Sequence, residues 1–402
     1  MLNLLNYTIL LQIMNTDNIW LDPLYLDDLL SEEEKSIRKT THDYCNEKLL
    51  QMVVIDNHKH HFDKNLYKDF GSMGFLGSTI EGYGSSNSSK VSYGLIAAEF
   101  ESIDSSYRSA ISVQSSLVID PIYFFGSEEQ KNKYLPELIK GNLVGCFGLT
   151  ESEAGSDPSS MKTNFREEKD FFVLNGTKTW ITNAPIADIF IIWALNSKKD
   201  IRGFIVEKNT NGLSTSLIKN KASLKISPTG QIVLNNIKIP KENILPNTKG
   251  WKSVFSCLNN ARYGIAWGVM GTAQASWLIA KEYVENRIMF KKPLASKQLI
   301  QKKLATMQTE ISLGWSACLH AGRAMEAGRD VKVAISMLKR NNCQKAIDIV
   351  RKARDMLGAN GLLDEYHIMR HLVNLETVNT YEGTEDIHAL ILGKFQTNID
   401  TF

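Results

Sequence analysis

The amino-acid sequence predicts a mainly α protein with a central β domain, in three successive regions. Residues 22–145 carry helical patterns and helix start signals, which predict an N-terminal helical domain. Residues 146–248 carry short β-prone runs punctuated by Gly, Asn and Pro, which predict an antiparallel β domain. Residues 249–402 carry long helical patterns with short connections, which predict a C-terminal four-helix bundle.

Composition is ordinary for a soluble globular protein. The chain has 402 residues, of which 43% are hydrophobic and 22% charged. A net charge of only +2 gives no reason to expect nucleic-acid binding or an acidic membrane surface. The five cysteines are scattered and form no CxxC motif, which favours reduced, buried thiols and an intracellular compartment.

Residues 1–21 are expected to form a disordered N-terminal extension. The segment Met1–Met14 is apolar, but it lacks the basic region and the small-residue cleavage site of a secretory signal. It is too short to span a bilayer, and it lacks the arginines of a mitochondrial transit peptide. Translation from an upstream start codon, with Met14 nearer to the true beginning, is the alternative.

Two capping boxes mark helix starts in the N-terminal region, at Ser31–Glu34 and at Ser127–Gln130. The histidines at 58, 60 and 61 stand on a charged helix end and are interpreted as solvated side chains, so no metal site is predicted. Helices are also expected over Lys64–Met73, Val91–Ile103 and Ser109–Phe124.

In the β region, an Asn-Gly pair lies between two β-prone halves of Phe171–Thr182, which predicts a hairpin turn at Asn175-Gly176. Further strands are expected at Ile189–Ala194, Gly203–Glu207, Leu213–Leu217 and Gln231–Ile239. The bundle helices are expected over Ser253–Met289, Lys297–Ala327, Val331–Leu357 and Tyr366–Thr380.

A carboxylate near the C-terminus, Glu382, is the main catalytic candidate. Thr384 is suited to N-cap a helix whose first turn holds Glu385 and Asp386, so Glu382 falls in the loop just before it. Gly383 lets the backbone approach a ligand there, and a partly desolvated carboxylate can act as a general base. The alternative is an acidic residue that complements the helix dipole.

Other candidates also leave a structural alternative open. The Gly- and hydroxyl-rich segment Cys146–Asp157 could hydrogen-bond a flat heterocycle or simply join strands. Arg287 could bind a pyrophosphate or form an exposed salt bridge. Arg108 could form a surface ion pair with Asp104; a deep pocket would carry it only opposite an anion, because desolvating an unmatched guanidinium is costly. Trp180 could be a core aromatic.

Several distant segments resemble the acyl-CoA dehydrogenase family, most closely its glutaryl-CoA dehydrogenases. The likeness extends from about Asp22 to Phe402 in constant order and spacing. It is carried by TYEGTEDIHALILG at 380–393, and by Tyr107–Ala110, Ser112–Val118, Gly126–Gln130, Leu174–Asn183 and Asn259–Val269. The resemblance implies the acyl-CoA dehydrogenase fold, FAD, an acyl-CoA substrate, electron-transfer flavoprotein as partner, and a homotetramer without nucleic acid or membrane insertion.

The resemblance also implies residue roles, with Glu382 as the catalytic base. It assigns substrate binding to Glu101, Arg108, Ser109, Ser156, Phe255, Asn259, Arg262, Tyr381, Gly383 and Phe402. It assigns cofactor binding to Phe147, Leu149, Thr150, Gly155, Ser156, Trp180, Ile181, Thr182, Arg287, Gln298, Asp355, Leu357, Gly358, Thr384 and Asp386. The chain departs from its relatives at Ala359, where a second glycine is common, and the extra methyl group is expected to tighten the approach to the adenosine part of FAD.

The implied reaction is the oxidative decarboxylation of glutaryl-CoA to crotonyl-CoA and CO2, a step of lysine and tryptophan catabolism. Members that release CO2 tend to have the equivalents of Tyr381 and Glu101. The implied location is the cytoplasm of a bacterium or the mitochondrial matrix of a eukaryote. The alternatives are a short-chain acyl-CoA dehydrogenase, a non-decarboxylating glutaryl-CoA dehydrogenase, and a helical binding protein that has lost catalysis.

Overall fold

The computed structural model describes residues 19–401. The segment Met1–Met14, most of the predicted extension and Phe402 lie outside this range. Trp20 and Leu21, the last residues of that extension, pack against Trp277 of the bundle and so belong to the folded part of the molecule. Within residues 19–401, no helix is long and apolar enough to cross a membrane.

The N-terminal region is helical, as predicted. Its helices are α1 (Glu32–Tyr44), α2 (Leu50–Lys59), α3 (Leu66–Ser72), α4 (Lys90–Ile103), α5 (Ser105–Ser112), α6 (Asp120–Phe125) and α7 (Glu128–Ile139). Both capping boxes are present, at Ser31 and at Ser127. Helix α5 begins four residues before the predicted start, because the carboxylate of Asp104 accepts the N–H of Ser106 at 2.7 Å and caps it. A π-helical segment, Val113–Ile119, then continues α5 into α6.

The middle region forms a seven-stranded sheet within the described residues. Its strands are β1 (Gly145–Gly148), β2 (Asn164–Glu167), β3 (Phe171–Thr182), β4 (Ile189–Leu195), β5 (Ile201–Glu207), β6 (Leu213–Leu217) and β7 (Thr229–Pro240). The order is β1-β4-β2-β3-β7-β6, with β5 on β4. Most neighbours are antiparallel, but β4 pairs in parallel with both β1 and β2, so the sheet is mixed and not purely antiparallel as predicted.

The hairpin predicted at Asn175-Gly176 is wrong. Strand β3 continues through both residues, and its register against β7 shifts between Leu174 and Gly176, which marks a β-bulge. A Cβ at Gly176 would overlap Thr163, so the glycine permits a close approach between neighbouring segments instead of a turn.

The C-terminal region is a helix bundle. It comprises α8 (Trp251–Asn286), α9 (Gln298–Glu326), α10 (Lys332–Met356), α11 (Ile368–Thr380) and α12 (Glu385–Thr397), and a two-stranded hairpin (Ile288–Met289 with Lys292–Pro293) connects α8 to α9. Helix α8 packs on α10 on one side and on α4 on the other. The helices of the N-terminal region and of the bundle therefore share one interface, and α5 and α11 also meet there.

Candidate active site

Glu382 lies in the loop between α11 and α12, as predicted. Thr384 caps α12 by accepting the N–H of Ile387 at 3.2 Å. Glu382 has a φ of 55° and Gly383 a φ of 98°, so two consecutive residues are left-handed. A Cβ at Gly383 would lie 2.9 Å from Nε2 of His388, so position 383 requires glycine for space as well as for backbone conformation.

The carboxylate of Glu382 is placed to act as a base. Its Oε2 is buried and has no hydrogen-bond partner within the part of the chain that the structure describes. Burial raises the pKa of Glu382, while the charges of Arg108, Arg262 and Lys339 partly oppose that rise. A desolvated carboxylate with a raised pKa is a stronger proton acceptor than an exposed one.

Arg262 holds the backbone of this loop. Its Nε donates to the carbonyl oxygen of Glu382 at 2.7 Å, and its guanidinium also donates to Oδ1 of Asn259 at 3.1 Å. Arg262 is buried, so an ordinary helix-surface role is excluded. Asn259 and Arg262 stand about one turn apart on α8, so Asn259 orients the guanidinium that contacts the loop.

Two residues around Glu382 were not predicted from the sequence. Lys339 of α10 is fully buried and donates to the carbonyl oxygens of Asn379 and Gly383 at 3.0 and 2.7 Å. His388 of α12 is also buried, and burial together with Arg262 and Lys339 lowers its pKa to about 3, so it is neutral. A sequence signal for Lys339 exists, because the lysine interrupts the apolar face formed by Ile335, Leu338, Ala346 and similar residues.

Arg108 extends the same polar cluster. Only 1% of the residue is exposed, its Nε donates to Oε2 of Glu101 at 2.6 Å, and its other end donates to the hydroxyl of Tyr381. The alternative of a surface ion pair with Asp104 is therefore wrong, because Asp104 pairs with Arg370 instead. Ser109, the next residue on α5, is buried as well.

Oε1 of Glu101 is buried without a hydrogen-bond partner among the residues from 19 to 401. Burial raises the pKa of Glu101, and Arg108 works against the rise. On the facing helix, a Cβ at Gly268 would overlap Oε2 of Glu101 and lie 3.3 Å from Nε of Arg108. Helix α8 thus leaves room for the Glu101–Arg108 pair by carrying no side chain there.

The predicted flavin-facing residues lie at the start of the sheet. Phe147 and Leu149 are buried on and just after β1, whereas Gly155 and Ser156 are exposed in the loop that follows. Ile181 is buried on β3, and Thr182 is half-buried at the end of that strand. Thr150 stands at the start of the loop after β1, and its carbonyl oxygen accepts the N–H of Thr179 at 2.9 Å.

Trp180 is not a core aromatic. It has a φ of 60°, lies within a register shift of β3, and keeps 61% of its surface exposed. A large ring left uncovered at the edge of a glycine- and hydroxyl-rich loop suits a flat heterocycle packed against it. The residues present therefore fit an isoalloxazine ring.

A buried ion pair braces this loop. Lys178 donates to the carbonyl oxygen of Leu149 and to Oε1 of Glu151, both at 2.9 Å. The carboxylate of Glu151 also accepts the N–H groups of Lys162 and Thr163, at 2.7 and 2.9 Å. Both ends of the loop between β1 and β2 are thereby fastened to β3.

The remaining cofactor candidates lie in the bundle. Arg287 follows α8 and Gln298 begins α9, both exposed. Asp355 pairs with Lys303; Leu357 caps α10, and Gly358 follows it with a φ of 60°, as the C-cap interpretation requires. In residues 19–401, no hydrogen bond or ion pair joins these positions to β1 or β3. Asp386 is exposed in the first turn of α12, and Phe255 is partly exposed against Trp251.

Three family models match successive parts of the chain: the acyl-CoA dehydrogenase N-terminal domain over residues 31–142, the middle domain over 146–237 and the C-terminal domain over 248–396. A glutaryl-CoA dehydrogenase from Mycobacterium smegmatis, solved in complex with FADH2, superimposes with a TM-score of 0.94 at 41% identity, over 95% of this chain and 99% of that one.

Curated relatives have the same extent. The short-chain specific acyl-CoA dehydrogenase of Megasphaera elsdenii is 32% identical over 378 residues, or 92% of this chain and 99% of the relative. An acyl-CoA dehydrogenase of Bacillus subtilis is 32% identical over 372 residues, or 91% and 98%. Together with the fold and the buried Glu382 site, these matches show that the chain belongs to the acyl-CoA dehydrogenase family and is an FAD-dependent oxidoreductase.

Proposed function

We propose that this protein is a glutaryl-CoA dehydrogenase that converts glutaryl-CoA to crotonyl-CoA and CO2. The observation that carries the proposal is the buried Arg108, which shares one polar cluster with Glu382 through Tyr381. A monocarboxylic acyl chain offers nothing to a guanidinium, whereas glutaryl-CoA ends in a carboxylate that matches it.

The charges of the cluster support a dicarboxylic substrate. Among the described side chains around Glu382, three are cations (Arg108, Arg262 and Lys339) and two are carboxylates (Glu101 and Glu382). With both carboxylates ionised, one positive charge is in excess inside a desolvated site. The terminal carboxylate of glutaryl-CoA would neutralise it, and a butyryl chain would not.

Glu382 is proposed to remove the proton from the α-carbon of the substrate. Its own backbone N–H donates to no acceptor within residues 19–401, so it is free to bind the thioester carbonyl and stabilise the charge that develops there. FAD, when bound, would supply the two-electron acceptor for the hydride equivalent that leaves the β-carbon. The proton stays on Glu382, and the chain of the product gains the double bond.

Glu101 and Tyr381 are proposed to favour decarboxylation. The C–C bond to the departing carboxylate breaks, its electron pair delocalises into the enoyl thioester, and Glu382 returns a proton to give crotonyl-CoA. A carboxylate held too tightly would resist this step, because a strong ion pair stabilises the ground state. Glu101 already engages Nε of Arg108, and Tyr381 engages the other end of the guanidinium, so neither end is left to the substrate alone.

Further parts of the assignment are also proposals. Phe147, Leu149, Thr150, Gly155 and Trp180–Thr182 would hold the isoalloxazine ring, with Ser156 between ring and substrate. Arg287, Gln298, Asp355, Leu357 and Gly358 would bind FAD of a neighbouring subunit in a homotetramer, with Thr384 and Asp386 near the cofactor. Electron-transfer flavoprotein would be the acceptor. The domain boundaries at 145/146 and 248/249, a contact of Phe255 with CoA, and the bacterial or mitochondrial location stay predictions.

The test is anaerobic mixing of the purified holoenzyme with glutaryl-CoA while flavin absorbance and CO2 are followed together. We expect flavin bleaching, and after a single turnover with excess electron acceptor, crotonyl-CoA and CO2 by mass. Accumulation of glutaconyl-CoA without CO2 would support glutaryl-CoA as the substrate but contradict the proposed decarboxylation.

A short-chain acyl-CoA dehydrogenase is the second candidate, because curated relatives such as that of Megasphaera elsdenii have this specificity in their name. The same experiment with butyryl-CoA separates the two. Faster flavin reduction by butyryl-CoA than by glutaryl-CoA, at matched concentrations, would favour the second candidate and leave Arg108 without a substrate partner.

A further inference from the structure

We propose that Lys339 is a positioning residue for Glu382, whose ammonium group ties together the two sides of the loop that carries the base. The inference rests on the proposed role of Glu382. It concerns a residue on a different helix, α10, whose side chain has no hydrogen-bond contact with the carboxylate itself within residues 19–401.

The geometry of the tie is specific. Nζ of Lys339 donates to the carbonyl oxygen of Asn379, in the last turn of α11, at 3.0 Å. It also donates to the carbonyl oxygen of Gly383, directly after the base, at 2.7 Å. With Arg262 donating to the carbonyl oxygen of Glu382 at 2.7 Å, cationic donors from two helices hold one carbonyl group at the end of α11 and two in the loop that follows.

The loop has a conformation that needs such restraint. Glu382 is a side-chain-bearing residue at a φ of 55°, followed by Gly383 at a φ of 98°. A glutamate in the left-handed region is strained, and strained residues persist only where their surroundings fix them. Without the two hydrogen bonds from Lys339, the chain between α11 and α12 could relax, and the carboxylate would move away from the α-carbon.

The setting of Lys339 separates this role from ordinary packing. The residue is fully buried, and burial lowers its pKa, yet both hydrogen bonds go to neutral carbonyl groups and neither to a carboxylate. Burying an ammonium group without an ion-pair partner is costly, so an apolar side chain would serve packing better. Its neighbour Arg340 pairs with Glu385, so α10 restrains the loop on both sides of Gly383.

The charge of Lys339 also acts on the base. It opposes the rise in the pKa of Glu382, so removing it shifts that pKa further upward. The ionisable groups that face Glu382 come from every neighbouring element: Arg108 from α5, Arg262 from α8, Lys339 from α10, His388 from α12, and Tyr381 beside it, with Glu101 of α4 behind Arg108.

The first measurement needs no substrate. Hydrogen–deuterium exchange of the holoenzyme is compared with that of Lys339→Met, which keeps the length of the side chain but loses charge and donors. We expect exchange over residues 379–385 to rise roughly tenfold or more, while the rest of the bundle stays protected. Lys345→Met is the matched control on the same helix, since Lys345 makes a half-buried pair with Glu310 of α9.

The second measurement is the rate of flavin reduction by acyl-CoA across pH. In Lys339→Met we expect retained flavin, a roughly 10- to 100-fold slower reduction, and an acid limb displaced to higher pH. Lys339→Arg keeps the charge and the hydrogen-bond donors, so it should recover part of the reduction rate and the acid limb of the wild type. If Lys339→Met does not fold, Lys339→Arg replaces it in the exchange experiment. In that case, protection of residues 379–385 equal to that of the wild type supports the inference.

Outcomes separate this inference from the proposed function. Unchanged exchange over 379–385 in Lys339→Met overturns the role of Lys339, whether or not acyl-CoA reduces the enzyme. Exchange that rises uniformly through the bundle, with an unmoved acid limb, assigns Lys339 a merely structural role and also overturns it. Wild-type flavin that no acyl-CoA reduces overturns the proposed function, while the exchange result still decides the role of Lys339.

Discussion

Arg370 donates from Nε to Oδ2 of Asp104 at 2.9 Å, and both side chains are almost fully buried. Asp104 caps α5, whose first turn leads to Arg108, and Arg370 lies on α11, which ends two residues before Glu382. Asn374 donates to the same oxygen at 2.9 Å and accepts the N–H of Leu224 at 2.7 Å. One buried polar cluster therefore fixes the relative positions of the proposed substrate anchor and base.

The first prediction concerns the stability of this cluster. Arg370→Met should leave the Asp104 carboxylate buried without its cation and lower the free energy of unfolding by about 3–5 kcal/mol. Chemical unfolding followed by circular dichroism measures it, with Arg351→Met as the control, because Arg351 is exposed. A loss no larger than that of the control would show that the cluster contributes little.

The second prediction concerns the base. Glu382→Gln should fold and keep FAD, because the amide replaces a carboxylate whose Oε2 has no partner in the described structure. Flavin reduction should fall by about 10²–10⁴-fold or more, since positioned proton transfer supplies that much. Stopped-flow absorbance under anaerobic conditions measures the rate, and near-normal reduction would remove Glu382 from the mechanism.

The third prediction concerns substrate choice. Arg108→Ala should slow reduction by glutaryl-CoA roughly 100-fold or more relative to its effect on butyryl-CoA, because truncating one partner of a buried charge pair is costly and the substrate carboxylate loses its cation. The ratio of kcat/KM for the two substrates is the quantity to compare. Equal losses on both would make Arg108 a structural residue of the Glu101 pair.

The fourth prediction concerns cofactor retention. Lys178→Met should loosen the loop after β1, because Glu151 would remain buried without its cation. The flavin-to-protein absorbance ratio after gel filtration should drop, whereas Lys162→Met, which removes an exposed pair with Glu153, should leave it unchanged. Burial lowers the pKa of Lys178 to about 8, so retention in the wild type should also weaken above that pH. Full flavin occupancy in Lys178→Met would show that FAD binding does not depend on this ion pair.

The fifth prediction concerns acid stability. Burial lowers the pKa of His367 and of His388 to about 3, and that of His371 well below its usual range. Below about pH 6.5 these histidines bind protons in the unfolded chain but not in the native state. The free energy of unfolding that comes from keeping them neutral is therefore fully present above pH 6.5 and is lost as pH falls towards 3. Each histidine contributes up to about 1.4 kcal/mol per pH unit in that window.

Thermal midpoints between pH 7 and 4 test this. His371→Gln should flatten the decline with pH even if it lowers stability at pH 7, whereas substitution of the exposed His320 should leave the slope unchanged. A slope that is the same in His371→Gln as in the wild type would contradict the assignment.

Much of the fold was predictable because its signals are local. The capping boxes at Ser31 and Ser127 and the N-cap Thr384 depend on residues within one turn, and all three are present. The prediction of a hairpin at Asn175-Gly176 was wrong because the glycine is required by its close contact with Thr163 on a neighbouring segment, and no local sequence pattern shows that contact.

The site was predictable to the same degree. The loop position of Glu382 follows from sequence, but its left-handed backbone and the hydrogen bond from Lys339 to Gly383, 44 positions away, depend on how three helices pack. Periodicity alone shows Lys339 as an interruption of an apolar face, and only the fold reveals which carbonyl groups it meets. The burial of Arg108, by contrast, was favoured only through resemblance.

The missing side chain at Gly268 has an evolutionary consequence. A glycine codon becomes an alanine codon by one nucleotide change, and the added methyl group would displace Glu101 from Arg108. Glu382, Arg262 and Lys339 would be left in place by that change. If the proposed function holds, a lineage could thus lose its preference for a dicarboxylic substrate in a single mutational step while keeping the chemistry at the α-carbon, so that substrate range and catalytic machinery can diverge separately in this fold.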